Sequence, residues 1–478
     1  MKRYCFLLLF LLSLQRGQTQ KKIFEFDLAD EKLVKPRIGL VINEGKNQFI
    51  LTLANKNYIK RFRIDHLGRS KALTEQKVFQ ETDGEFAVQS EVENKLLKSY
   101  HKYDFIAGSE ENGKLIEVLK EDITFDYLFI ETDLNSGKSI LADRIKLERK
   151  DQFAFSFKRE STLYIVTNPR RSAKLIIYSK KYSEKLKADT IDFMQTSDSE
   201  QIQDIFFRSK FERILIYPDN IWAPINAFDY KHKAFINKNK FNIVLNDYNF
   251  TTYLISLDLN SLTYTISPHL PNPQSIKKDI LSHTSTLIDS TLVLTYALKD
   301  KILLRFVNIN TGQVLKEDIL AADSLQKLNI TIEKSGSKKL QKENLAESFE
   351  MLLKLLKESQ LVVSEQKNGD HINLTVGASY FLHNNYFTEI VSAGIYEVKP
   401  DEKATSISFD IGYDRKTLEH NNSSPKKMMW EKMLMFLFAY RNYIGNIIFF
   451  HMNEHFYVGY YNYQVKKYLV HKFDDKLE

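Results

Sequence analysis

Four segments of this chain repeat one plan: YIKRFRIDHLGRSKAL (58–73), YLFIETDLNSGKSIL (127–141), YLISLDLNSLTYTI (253–266) and LLRFVNINTGQVLKEDIL (303–320). Each is a β-rich run, an Asp or Asn, a few polar residues, usually a Gly, and a second β-rich run. An Asp or Asn side chain folds back onto the backbone of its own turn, and Gly adopts the positive φ that a bulged hairpin requires. Asp65, Asp133, Asp258 and Asn308 stand 68, 125 and 50 residues apart. That spacing suits one irregular unit of ~40–65 residues, somewhat longer than common propeller repeats.

Each copy is preceded by a further strand: Phe49–Leu53, Leu115–Leu119, Phe241–Leu245 and Leu292–Tyr296. Two more pairs keep the strands without the turn, TLYIVT with AKLIIYS (162–179) and NIIFFHM with FYVGYYNY (446–463). A weaker pair joins NLTVGASYF to EIVSAGIYEVKPDEKATSISF (373–409). Many short strands with regular turn signals read as an all-β fold. Units of this length favour a β-propeller of about seven four-stranded blades around a channel. KIFEFDL (22–28) is placed to pair with the C-terminal strands and close the ring.

The outer half of the unit resembles the pyrroloquinoline-quinone-type propeller repeats of bacterial extracytoplasmic proteins, where a D-x-x-[ST]-G turn precedes a strand. IETDLNSGKSIL and FVNINTGQVLKEDIL carry the likeness, which implies a propeller scaffold. The tryptophan that follows the turn in those repeats is replaced here by Leu, Ile or a polar residue. Quinone binding is therefore not carried over, and no cofactor is expected. Blades are expected to interlock through Leu, Ile and the chain's 33 Phe and 25 Tyr, whose rings bury large apolar faces.

One segment breaks the β pattern. SKKLQKENLAESFEMLLKLLKES (337–359) sets Leu345, Phe349, Leu352 and Leu356 on one helical stripe, with Lys and Glu on the other faces. It reads as a helical insertion packed on a blade or across one mouth of the channel.

The leader MKRYCFLLLFLLSLQRGQTQ has a basic start and an apolar run from Phe6 to Leu12, too short to span a bilayer. This is the layout of a cleaved secretory signal over residues 1–20, leaving 21–478 as a single propeller domain. Cys5, the only cysteine, lies in that leader. The mature chain then has no disulfide, thiolate metal site or cysteine nucleophile, which suits a bacterial envelope. Of the formal charge of +7, the leader holds Lys2, Arg3 and Arg16, so the mature chain is close to neutral and has no basic block. Nucleic acid is not an expected partner. No later apolar stretch is long enough for a transmembrane helix; MLMFLFA (433–439) comes nearest, bracketed by Lys432 and Arg441.

Three motifs suggest chemistry and lose to turns. His451-Met-Asn-Glu-His455 has the H-x-x-E-H order of a zinc peptidase, but that site needs a helix, and the flanks IIFF and FYV are strand-like. A hairpin would still let the two histidines face each other. Gly108 to Lys114 has phosphate-loop spacing, yet Leu115 replaces the Mg²⁺-holding Ser or Thr, and Glu110 and Glu111 would repel phosphate. DLNSG (133–137) and NINTG (308–312) offer one carboxylate or none, too few for Ca²⁺. No metal ligand and no catalytic residue is therefore assigned.

What remains is a binding surface. Tyr217-Pro-Asp-Asn-Ile-Trp222-Ala-Pro224 concentrates aromatic and turn residues around one of the two tryptophans. Loops on rigid β scaffolds carry function, and exposed Trp or Tyr anchors binding, so Tyr217, Asn220 and Trp222 are the candidate binding residues. Burial of Trp222 against its own blade is the competing reading. The chain reads as an exported, non-enzymatic propeller, periplasmic or secreted, that binds a protein or glycan partner in the cell envelope. Two alternatives stay open: a propeller hydrolase or lyase acting on polysaccharide through paired carboxylates, and a zinc peptidase at His451 and His455.

Overall fold

The computed structural model describes residues 20–27, 37–54, 58–77, 103–121, 126–147, 152–169, 172–195, 197–208, 214–216, 232–237, 240–247, 249–270, 274–323, 331–335, 345–357, 359–380, 405–421, 423, 436, 440, 443–453 and 455–473. Its strands form seven sheets, each built on four antiparallel strands, and the protein is an all-β, seven-bladed propeller.

From inner to outer strand, blade 1 comprises Arg37–Asn43, Gln48–Ala54, Tyr58–Asp65 and Ser70–Lys77. Blade 2 comprises Tyr103–Glu111, Lys114–Glu121, Tyr127–Asp133 and Ser139–Ile145. Blade 3 follows as Gln152–Arg159, Thr162–Asn168, Lys174–Lys180 and Lys187–Asp192. Blade 4 is His232–Asn237, Lys240–Asn246, Thr252–Asp258 and Tyr264–His269. Blade 5 is Ile280–Ile288, Thr291–Leu298, Lys301–Asn308 and Val314–Ala321.

The last two blades recruit strands from elsewhere. Blade 6 has three long strands, Gln360–Asn368, His371–Tyr380 and Thr405–Asp414. Its outer strand is split: His420–Asn421 pairs with one end of the third strand, and Thr331–Ser335, from the connection before the blade, pairs with the other. Blade 7 takes Ile444–Met452, His455–Asn462 and Lys467–Phe473 from the C-terminal region. Its outer strand is Gln20–Asp27, antiparallel to Lys467–Phe473, so both ends of the described chain meet in one sheet and close the ring.

The core lies between blades, where alternate side chains of facing sheets meet. Blades 3 and 4 share Phe155, Phe157, Ile177, Phe241, Ile243 and Ile255. Blades 7 and 1 share Phe450, Tyr457, Phe49 and Leu51, with Phe49 edge-on to Phe450 at 4.8 Å. Aromatic and branched aliphatic residues thus occupy the places expected of them. Ion pairs also cross these walls. Lys180 of blade 3 sits, buried, between Glu131 (2.7 Å) and Asp143 (2.8 Å) of blade 2.

Among the described residues two α-helices interrupt the strands. The helix expected within 337–359 is α2, Leu345–Leu355, and Phe349, Leu352 and Leu356 are buried against blades 5 and 6. The helix α1, Ser199–Arg208, was not expected; it follows blade 3 and buries Ile202 and Ile205. Its apolar stripe spans barely one turn, too short a period to stand out. Four inner strands start with a bulge, at Phe105/Ala107, Phe153/Phe155, Ile280/Ser282 and Gly445/Ile448.

Candidate functional site

The two faces of the ring differ. Antiparallel strands place the turn after the first strand of every blade, and the turn after the third strand of blades 1 to 6, on one face, and the other connections on the opposite face. On the first face the connections are tight; the widest runs only from Lys180 to Lys187. The opposite face carries the long ones: Lys77 to Tyr103, Asp192 to His232, Ala321 to Gln360, Tyr380 to Thr405 and Asn421 to Ile444.

Tyr217, Asn220 and Trp222 lie outside the described residues. Ile214–Ile216 is a short strand pairing in parallel with the start of blade 4's inner strand, Ile214 beside His232. The sheet order makes this extra strand the innermost of blade 4, on the channel side.

On the tight face, the motifs are turns. His451 pairs with Phe456 and Met452 with His455, so the H-x-x-E-H stretch is a hairpin; Glu454 itself lies outside the described residues. The alternation of a strand puts His451 and His455 on opposite sides of the sheet, which corrects the expectation that they face each other. Burial holds the His451 imidazole down at about 4, helped by the nearby His455 charge. Among the described residues no three His, Cys, Asp or Glu side chains converge as a metal site would require.

Glu110, inside the phosphate-loop look-alike, is the last residue but one of blade 2's inner strand and is buried. It accepts hydrogen bonds from Asn43 Nδ2 (2.6 Å) and the Gly113 N–H (3.0 Å), with Arg63 at 3.5 Å. Burial alone would raise its pKa. The Asn43 and Gly113 donors and the Lys46 and Arg63 charges outweigh that, and the carboxyl lies below its ordinary range. The loop holds its own anion.

The Asx turns follow one geometry. The Asp133 carboxylate accepts from the Asn135 and Ser136 N–H groups, and Gly137 N–H closes onto the Asp133 carbonyl at 2.8 Å. Asp258, Asn308 and Asp414 repeat this pattern, with Leu262, Gly312 and Leu418 at the positive-φ position. The Asp414 turn of blade 6 carries the same signature with Leu for Gly and was missed in the sequence.

A buried polar cluster binds three inner strands at the channel. The Lys233 ammonium of blade 4 donates to the carbonyls of Ser285 (3.1 Å, blade 5) and Val363 (2.6 Å, blade 6). Glu365 of blade 6, also buried, accepts from the Thr286 hydroxyl of blade 5. Burial pushes Lys233 down and Glu365 up, and the charge of each opposes the shift of the other. Sequence reasoning missed both: one Lys and one Glu in separate strands carry no signal.

A second group it missed lies on the long-connection face of blade 7. Tyr440, Tyr443 and Tyr463 are each 42% exposed. Tyr443 N–H donates to the Tyr440 carbonyl and Tyr463 N–H to the Tyr443 carbonyl, both at 2.8 Å. Behind them Phe436 packs against Tyr440 (4.8 Å) and Tyr460 (5.5 Å), and the Tyr460 hydroxyl meets His471 Nε2 at 3.1 Å. Six tyrosines from 440 to 463 were the available signal.

This architecture defines a seven-bladed β-propeller. A comparison with known protein families and one with curated proteins find no match. Among solved structures the chain is similar to the WD40 domain of SCAP from fission yeast, at 9% identity and TM-score 0.32, covering 96% of this chain and 91% of that one. It is similar to the SapL1 lectin in complex with alpha methyl fucoside, at 9% identity and TM-score 0.24, covering 72% and 92%. A prolyl endopeptidase matches at 9% identity and TM-score 0.31 over 71% of this chain, which spans only 38% of that enzyme's length. Likeness this distant has no bearing on ligand or activity.

Proposed function

We propose that this chain is an exported, non-enzymatic propeller of the bacterial envelope that binds a protein or glycan on its long-connection face. One observation carries the reading: every long connection leaves and returns on one face, while the other is trimmed to tight turns. Loops on a rigid β scaffold are where binding residues gather. Tyr217, Asn220 and Trp222 are the binding residues of this reading, and the leader, cleaved near Gly17 to Gln20, serves as the export signal of a single propeller domain.

Selective blocking of the faces tests this. In a Cys5→Ala background, Asp300→Cys and Thr311→Cys each offer one thiol for a polyethylene-glycol maleimide, on the long-connection and tight faces respectively. The label at 300 is expected to abolish retention on an isolated envelope fraction, and the label at 311 to leave it intact. Equal behaviour of the two overturns the reading. Release of reducing ends from a panel of polysaccharides, abolished by one carboxylate substitution, replaces it with the hydrolase or lyase alternative.

A further inference from the structure

The tyrosines of blade 7 form a surface with a definite chemistry. Tyr443 directly precedes the inner strand and Tyr463 directly follows the second strand, so both sit where the channel opens on the long-connection face. The backbone bonds linking 440, 443 and 463 fix the rings' attachment points relative to one another. A side chain at Gly445 would overlap the hydroxyl end of Tyr463, so the missing side chain is what lets that ring lie over the strand. Gly445 also opens the blade's bulge, and Asn446 beside it holds a φ of 49°. The equivalent bulges of blades 2, 3 and 5 need no positive φ. Bulges re-aim side chains, and here the bulge sits under the exposed ring.

Each ring leaves a large part of its apolar surface in water, which is costly without a partner. Each ring offers a flat apolar face with a hydroxyl at its rim. A pyranose offers the counterpart, a flat C–H face with hydroxyls around its edge. A proline-rich peptide would instead need clefts between upright rings, and Tyr463 leaves no cleft over Gly445. Charge favours an ionic ligand little: of the two lysines that close the turn after Tyr463, Lys467 is already engaged by Glu25 and Asp27, which leaves the exposed Lys466.

We infer that Tyr440, Tyr443 and Tyr463 are a carbohydrate-binding platform that stacks the sugar rings of a neutral glycan. The inference rests on the binding reading above and names its ligand class and site.

The test is affinity electrophoresis of the full chain in native gels cast with xylan, mannan, pullulan or laminarin. At least one polysaccharide is expected to retard the protein, and Tyr443→Ala and Tyr463→Ala each to weaken that binding ~10-fold or more, as truncation of an aromatic anchor does. Tyr463→Phe keeps the ring and is expected within about threefold of the parent. Gly445→Ala removes no tyrosine yet displaces Tyr463, and should weaken binding like Tyr463→Ala; thermal melting confirms that each variant folds. Retardation unchanged in the alanine variants overturns the platform and leaves the binding reading intact. Absence of retardation by every polysaccharide overturns it as well, as does tyrosine-dependent binding of a proline-rich peptide alone. Release of reducing ends would instead strike the binding reading itself.

Discussion

Two regions of this propeller bury opposite charges between blades, and they do so differently. Between blades 1 and 2, Arg61 reaches Glu117 through Nη2 (2.6 Å) and Nε (3.1 Å), and Thr52 donates to the other carboxylate oxygen at 2.7 Å. Both side chains are fully buried. At the channel, Lys233 and Glu365 are buried as deeply, but the bonds that hold them include neutral carbonyls and a hydroxyl. Arginine stays charged in a protein, so the buried Arg61 guanidinium keeps its need of a counter-charge. The second pair has an exit, because Lys can shed its proton and Glu can take one up, and burial pushes both that way.

The sharpest break of this comparison is to remove one carboxylate from each region. Glu117→Gln strands a buried guanidinium and is expected to cost about 3–5 kcal/mol in urea unfolding. Glu365→Gln leaves a lysine that can neutralise, and should cost about 1–2 kcal/mol, the scale of a rearranged hydrogen bond. Equal costs would show that the two regions are electrostatically alike. Replacing Arg61 and Glu117 together by Met and Leu sharpens the point: the double change should recover most of the loss, since a buried ion pair often does no better than packed apolar groups.

pH separates the regions next. Glu365 in the folded state titrates above its ordinary value of 4.5, so folded protein holds a proton that unfolded protein has released. Its contribution to stability is present below that value and declines as pH rises through the folded pKa. Lys233 titrates below its ordinary 10.5, so its contribution is present at high pH and is lost as pH falls through the window below 10.5. Near neutrality both work against folding. The stability of the parent minus that of Glu365→Gln is therefore expected to grow as pH falls from about 7 to about 5. A flat difference would mean that Glu365 is as firmly ionised as a surface carboxylate.

What the sequence disclosed divides along the same physical line. Local chemistry was legible: the Asx turns at Asp65, Asp133, Asp258 and Asn308, the hairpin at His451, and the stripe of α2 are each set by residues within one element. The closure of the ring by the strand at Gln20–Asp27 was readable because that strand is amphipathic and needs a partner. Contacts between blades were not legible. Lys233 and Glu365 stand 132 residues apart and meet only because three inner strands converge on the channel. The tyrosine platform escaped notice because its residues flank strands rather than filling a recognised motif. The turn at Asp414 was missed for a smaller reason, that the weak pair read there, 373–409, stops short of it.

The finest comparison is between turns that use Gly and turns that use Leu at one position. Gly312 and Leu418 both close onto the carbonyl four residues back with positive φ, 71° and 59°. An ordinary residue loses about 1 kcal/mol or more there, so Gly312→Ala, with open space around it, is expected to destabilise by about 1 kcal/mol. At Leu418 the side chain is buried in the core shared by blades 5 and 6, and that burial is worth about 1.5–3 kcal/mol. Relief of the backbone does not make up for its loss, so Leu418→Gly should also destabilise, by about 1 kcal/mol. Leu262, with φ 56°, is only half buried, and there the two terms nearly cancel. Leu262→Gly is expected to leave the urea midpoint almost unmoved. A clear stabilisation at both Leu positions would show that the leucines are strained without return, and that the blades do not lean on their turns.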